Sequence, residues 1–387
     1  MNQSTKPADD DATARDQFPA LGQGLYLNHA AIGPWPRCAA EAVRDFTEQS
    51  LRPGAAAFRA WIAREKSLRE RLAKLVNAAS TNDIALLKNT TEGISLVAWG
   101  LDWQPGDNVV LPAGEFASNR LPWLAQSRRG VEVREIEIRA APQAEAALLG
   151  AMDARTRLLS VSAVQWSDGF KLDLTRLGTA CRRRSVLFFV DAIQQLGALP
   201  IDVQAAQIDF LAADAHKWLL GPEGIAVFYC REALRPRLEL VQQGWHMFDF
   251  PWDFDRGDWT PAASAKRFEA GSPNSMGQAA LHASTGLLLE QGMARVARRV
   301  LANTDFLLHN LAATPGVRIV SHREPERRSG IVTFVHEHLP AGRLQRLFRD
   351  NGVECAVRDG GIRLSPHFYQ QESDLAGVFE LLHKVDY

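Results

Sequence analysis

Between residues 83 and 229 the chain repeats one pattern, a short apolar run followed by a break and, in most cases, by a helix-like stretch. The apolar runs are "DIALLKN", "DNVVLP", "VEVREIEI", "TRLLSVSAV", "SVLFFVD", "DFLAAD" and "GIAVFY". The helix-like stretches include "TEGISLVAWGL", "SNRLPWLAQSRRG" and "TRLGTACRRR". Short runs that stay apolar without alternating suit strands covered on both faces, and strands joined through helices run parallel. An α/β fold follows, with a mostly parallel sheet and helices on both faces, over residues 19–290. From residue 285, "TGLLLEQGMARVARRVLANTDFLLHNLAATPG" reads as one long amphipathic helix pattern that crosses between two domains. It leads to "VRIVS", "GIVTFV", "GRLQRLFRDNG" and "GIRLSP", the mixture of a smaller α+β domain over 291–387.

Residues 1–18 are polar and acidic, and read as a loose tail that is neither a signal peptide nor a membrane segment. No later stretch reaches the ~18 consecutive apolar residues of a membrane helix. With 387 residues, 46% hydrophobic and 23% charged, the chain reads as a cytoplasmic globular protein with a large core. A formal net charge of −1 provides no global attraction for nucleic acid or an anionic membrane, and Arg182, Arg183 and Arg184 read as a solvated helix face. Cys38, Cys181, Cys230 and Cys355 are widely separated and form no CxxC pair, which points to neutral thiols. "HEH" at 336–338 lacks the spacing of a helical metal site and sits in a strand-like context. A GxGxxG fingerprint is also missing, so a dinucleotide site has no support.

Parallel sheets bind ligands at the carboxyl ends of their strands, and three such ends carry reactive groups. In "LKNTTEGISLVAWG" a strand stops at Asn89, and Thr90 and Thr91 begin a helix whose free N–H groups and dipole suit a phosphate. The same residues would also serve as a ligand-free cap. "SVLFFVDAIQQLGA" ends a buried strand on Asp191, with Gln194 three residues later. Burying that carboxylate is tolerable beside a cation such as a protonated ring nitrogen, although it could equally cap the next element. "DFLAADAHKWLLGPEG" delivers Lys217 after the next strand, where an amine can form a Schiff base with an aldehyde or act as a base. A phosphate cup, a carboxylate for a pyridinium nitrogen and a Schiff-base lysine are the parts that pyridoxal phosphate requires.

From "YLNHAAIGP" to "RLSPHFY", and most specifically in "VDAIQ" and "ADAHKWLLGPEG", the chain resembles the class V aminotransferase family of pyridoxal-phosphate enzymes, in its cysteine desulfurase and isopenicillin-epimerase-like branch. The resemblance implies fold type I with a seven-stranded sheet. It makes Lys217 the Schiff-base residue, Asp191 the partner of the ring nitrogen, Gln194 the donor to the ring hydroxyl and His216 a neighbour of the phosphate or ring. Thr90 and Thr91 match the phosphate-binding pair, and Phe116 in "GEFASNRLPW" stands where desulfurases stack a histidine on the ring. "RFEAGSPN" resembles the loop whose serine, here Ser272, reaches the neighbouring subunit's cofactor, which implies a homodimer. Arg363 matches the arginine that holds the substrate α-carboxylate, a task suited to a guanidinium fork. Arg358 matches a second arginine of the family.

Several departures bear on the reaction. Desulfurases carry a nucleophilic cysteine in a flexible loop between those two arginines, whereas here only "DGGI" separates Arg358 from Arg363. Cys355 precedes Arg358 and reads as a structural thiol. Asp214 replaces a hydroxyl residue near the phosphate and is expected to turn away from it, to cap or to pair with a cation, since two anions repel. Trp166 replaces an asparagine near the ring. His29 and His246 are candidate second acid–base groups, while Trp245, Phe248, Trp252 and Trp259 either line the pocket or pack an interface. Chemistry at Cα of an amino acid is implied. Transamination leads, because it needs only the lysine, with β-eliminating (C–S) lyase and epimerase as alternatives and a non-catalytic cofactor-binding protein as a remote one.

Overall fold

The computed structural model describes residues 14–384 apart from 140, 142, 254, 256 and 258. A two-residue strand, β1 (Leu25–Tyr26), precedes two helices, Arg37–Leu51 and Phe58–Val76, which the alternation did not cover. Seven strands then build the main sheet: β2 (Ile84–Leu87), β3 (Asn108–Pro112), β4 (Glu132–Ile136), β5 (Thr156–Ser162), β6 (Leu187–Asp191), β7 (Phe210–Asp214) and β8 (Ala226–Cys230). Their spatial order is β2-β8-β7-β6-β5-β3-β4. All neighbours pair in parallel except β8, which runs antiparallel to both β7 and β2.

Helices cover both faces, and β6, β7 and β8 are accordingly buried at every position. In β6, Phe188 and Val190 join one core while Leu187 and Phe189 join the other. Each buried phenylalanine contributes about 2 kcal/mol from the apolar area removed from water. Because β6 and β7 are parallel neighbours, with Asp191 opposite Ala212, their carboxyl ends open on the same edge of the sheet.

A third core, including Leu307, Phe334, Phe348, Leu364 and Leu382, lies in the C-terminal part. Its sheet consists of β9 (Val317–Ile319), β10 (Val332–His336), β12 (Ala356–Arg358) and β13 (Gly361–Leu364), antiparallel in the order β12-β13-β10-β9. β11 (Val353–Glu354) pairs instead with β1, in parallel.

Three expectations change. The single helix pattern at 285–316 is two helices, Ser275–Gln291 and Met293–Ala313, broken at Gly292, whose φ of +76° ends the first helix as its N–H caps Leu288 and Leu289. The helical stretch at 118–130 is three short turns, and Pro122 stands in the four-residue middle one, Leu121–Leu124. Residues 14–18 belong to the packed structure rather than to a loose tail, while 1–13 lie outside the described residues. Phe18 is buried and stacks on Tyr369 at 3.6 Å between ring centroids, and Arg15 pairs with Asp374 at 2.6 Å. Polar composition hid those two anchors.

Candidate active site

At the carboxyl edge of the main sheet lies a cavity of about 300 Å³. Its wall carries Thr90, Thr91, Asp191, Gln194, His216 and Lys217 from the large sheet's loops. Phe116 and Trp166 form another side, and Arg358 and Arg363 enter from the C-terminal sheet.

Lys217 reaches the cavity on the turn between β7 and β8, and that turn is held from three directions. Gly33 N–H donates to His216 O at 2.7 Å, and a Cβ on Gly33 would lie 2.3 Å from Lys217 O. Gly197, at φ +100°, approaches the Trp218 carbonyl so closely that a side chain there would collide with backbone. Leu220 takes φ +59°, a left-handed conformation that costs about 1–3 kcal/mol and that the fully buried surroundings enforce. Lys217 itself is 9% exposed, and Nζ stands 5.7 Å from the centre of the Phe116 ring. Burial lowers its pKa, with the positive charges of Arg363 and Arg358 acting the same way against the attraction of Asp191. Asp191 moves the other way, raised chiefly by burial and further by Glu115, against a hydrogen bond from Ile193 N–H at 3.0 Å. A cationic ligand group at Asp191 would reverse that penalty.

Thr90 and Thr91 open the helix Thr90–Gly100, capped by Asn89, whose side chain accepts from Glu92 N–H. Thr90 Oγ1 accepts from Asp214 N–H at 3.0 Å, and Thr91 Oγ1 bonds Ser118 Oγ at 2.8 Å. Gln194 is fixed at both ends, Nε2 donating to Ala30 O at 3.0 Å and Oε1 accepting from Trp218 Nε1 at 2.9 Å, which leaves one amide N–H for a ligand. Arg363 is 1% exposed; Nη1 donates to Trp166 O at 2.6 Å, while the buried Nε and Nη2 have no hydrogen-bond partner. Burial, with Arg358 nearby, pushes its pKa down to about 9. Two unpaired donors on a buried guanidinium have the geometry to take a bidentate acceptor. Arg358 Nη1 donates to its neighbour's carbonyl, Val357 O, at 2.7 Å.

Other expected site residues lie elsewhere. His29 does not face the cavity: it is fully buried, Nδ1 bonded to Ser365 O and Nε2 to Tyr369 Oη, both at 2.8 Å. The cavity takes the next residues, Ala30, Ala31 and Ile32, instead. His246 is buried 3.9 Å from Glu269, and Trp245 sets its ring edge against His246 and Trp252 rather than lining the cavity. Asp214 lies on the cavity wall with Oδ1 at 3.5 Å from His216 Nδ1, neither atom making a hydrogen bond. Ser272 lies in a separate groove of about 340 Å³. Trp166 anchors its indole N–H on Gly114 O at 3.0 Å and meets Phe116 edge-on. Cys355 is buried in the C-terminal core, its thiol pushed up to about 12 by burial.

Sequence reasoning missed Glu115, one residue before Phe116, whose buried carboxylate accepts from Ser162 N–H at 2.7 Å and adds negative charge near Asp191. It also missed His367, which lies behind Lys217. His367 Nε2 donates to Trp218 O at 3.1 Å and Nδ1 accepts from Phe368 N–H at 2.8 Å, so the ring is neutral. Burial lowers its pKa to about 4. An unfolded histidine binds its proton near ~6.5, so between pH 6.5 and 4 the unfolded chain holds more protons and stability falls as pH falls. The loss reaches roughly 3 kcal/mol for this residue. In urea unfolding across that range, His367→Asn is expected to flatten the pH dependence relative to wild type, and an unchanged slope would rule the residue out as its source.

A phosphate-type helix start, a strand-end carboxylate and a buried lysine around one cavity define a pyridoxal-phosphate enzyme of fold type I. The family model for class V aminotransferases matches residues 25–375, and the chain belongs to this family. A probable cysteine desulfurase of Methanothermobacter thermautotrophicus is 28% identical, over 96% of this chain and 97% of that one. A cysteine desulfurase of Klebsiella pneumoniae is 31% identical, covering 83% and 81%. Among solved structures, the cystine C–S lyase C-DES in complex with its reaction product cysteine persulfide superposes with a TM-score of 0.89 at 26% identity, over 95% of this chain and 99% of that one. A C-DES variant with glycine linked to its pyridoxal phosphate gives a TM-score of 0.90, also at 26% identity, over 96% and 99%. The class V family and the C-DES structures make pyridoxal phosphate the cofactor of this chain as well.

Proposed function

We propose that this enzyme is a β-eliminating lyase that breaks the C–S bond of an α-amino acid carrying sulfur at Cβ. The observation that carries the reading is the turn between Arg358 and Arg363. Asp359 and Gly360 close the β12–β13 hairpin there, with Arg358 opposite Gly361, and among the described residues no cysteine lines the cavity. Sulfur would then leave by elimination, without attack by a protein thiol. The likeness to a cystine C–S lyase supports the same choice.

In this reading Thr90 and Thr91 hold the phosphate at the helix start, Asp191 holds the ring nitrogen as a cation, and Gln194 donates its free N–H to the ring hydroxyl. His216 and Phe116 flank the ring. Bound pyridoxal phosphate supplies an electron sink for the pair released when Cα–H breaks. Arg363 takes the substrate α-carboxylate with its two unpaired donors and so turns Cα–H toward Lys217. Lys217 Nζ accepts that proton, and burial favours the neutral amine that can do so. The Cβ–S bond then breaks with its electron pair on sulfur, and water completes the release of a 2-keto acid and ammonia. The reading includes a homodimer in which Ser272, which does not line its own chain's cavity, reaches the phosphate in the other subunit's site, and a cytoplasmic setting.

Transamination shares the proton transfer to Lys217 and is separated by one assay. Holoenzyme with L-cystine or an S-alkylcysteine, and no added keto acid, is expected to release keto acid, ammonia and the sulfur fragment in equal amounts over many turnovers. A strict requirement for an added keto acid would overturn elimination in favour of transamination.

A further inference from the structure

One cation outside the cavity wall touches both elements that frame the cavity mouth. Arg139, three residues beyond β4, places Nη1 at 3.0 Å from Asp359 Oδ2 and Nε at 3.4 Å from Asp168 Oδ2. Its Nη2 donates to Ser167 Oγ. Asp359 is at the tip of the β12–β13 hairpin, in a left-handed conformation at φ +48°, directly after Arg358 and four residues before Arg363. Ser167 and Asp168 follow Trp166, whose carbonyl accepts from Arg363. That loop is also pinned from behind, Thr333 Oγ1 donating to Ser167 O at 2.6 Å and Ser321 Oγ to Asp168 O at 2.5 Å.

An exposed ion pair alone is worth little. This one differs because the guanidinium is forked across two carboxylates, and the Asp168 side chain is only 4% exposed, so losing the cation would leave a buried charge uncompensated. From this geometry we infer that Arg139 is a positioning residue, which latches the Asp359 hairpin to the loop at 166–168 and thereby fixes Arg363 for the carboxylate of the amino acid. The hairpin is too short to fold over a substrate by itself, and the latch gives it one location. The inference rests on the proposed role of Arg363, and it does not depend on which bond breaks afterwards.

The test is a spectral titration of the holoenzyme with glycine, which has no leaving group, and with n-propylamine, which lacks the carboxylate. In Arg139→Ala and in Asp359→Asn, glycine is expected to bind about tenfold more weakly, with amine binding and cofactor affinity unchanged; Tm is expected to fall in Arg139→Ala, where the buried Asp168 loses its cation, and to stay at the wild-type value in Asp359→Asn. Arg139→Lys recovers part of the loss, as a point charge can meet one acid but not both. Unchanged glycine binding in both variants overturns the inference. So does parallel weakening of glycine, amine and cofactor, which would mark a general structural role. Failure of the lyase reading would appear separately, as wild-type enzyme that binds glycine normally and releases no keto acid from cystine.

Discussion

Lys217→Ala is expected to lower kcat/KM for elimination by about 10⁴-fold or more, since one residue supplies both the covalent link to the cofactor and the base for the Cα proton. The fold should survive. What holds the turn at 215–221 is main chain: Gly33 N–H on His216 O, Leu220 N–H on Lys217 O and Gly221 N–H on Ala215 O. The lysine side chain instead occupies the cavity wall, where burial penalises its charge and that of Asp191 together. Far-ultraviolet circular dichroism and Tm are therefore expected to stay close to wild type while the internal cofactor band disappears. A variant with kcat within tenfold of wild type would remove Lys217 from the mechanism.

Arg363→Ala carries the second large effect, a rise in KM for amino-acid substrates of about 10² to 10³-fold. Two charge-assisted hydrogen bonds from Nε and Nη2 to a carboxylate, at about 1.5–3 kcal/mol each, are lost. Arg363→Lys keeps a charge without the fork and should fall between. Stability should move the opposite way. A guanidinium that is 1% exposed, with two donors unpaired and Arg358 nearby, destabilises the protein without substrate, so the alanine variant is expected to unfold at an equal or higher temperature. If Tm falls while KM stays at the wild-type value, Arg363 is a structural residue and the carboxylate must bind elsewhere.

The parts of the site that could be read in the sequence are those whose neighbours in space are neighbours in the chain. Asp191 ends β6, Lys217 follows the end of β7, and Thr90 starts a helix directly after β2, so apolar runs stopping on polar residues were enough to bring them to one edge. His29 failed for the opposite reason. Its two ring nitrogens are satisfied by Ser365 and Tyr369, more than 330 residues away, and no local pattern shows whether a histidine before an apolar pair is paired or free. Arg139 and Asp359 escaped notice in the same way, as did the docking of Phe18 on Tyr369. Asp214 was expected to cap or to meet a cation, and the ring nitrogen at 3.5 Å belongs to His216, only two residues on.

The pairing of β1 with β11 has a consequence for how the enzyme matures. Leu25 and Tyr26 meet Val353 and Glu354, and the same N-terminal stretch supplies Gly33 to the back of the Lys217 turn. Closing so long a loop carries an entropy penalty that local helix–strand units do not, and contacts of such sequence separation form late. During synthesis the main sheet can be complete while its reactive edge is still open, waiting for Val353 and Glu354 to leave the ribosome. Competence to retain the cofactor would thus arrive as a final, separate event in refolding, lagging behind the recovery of secondary structure.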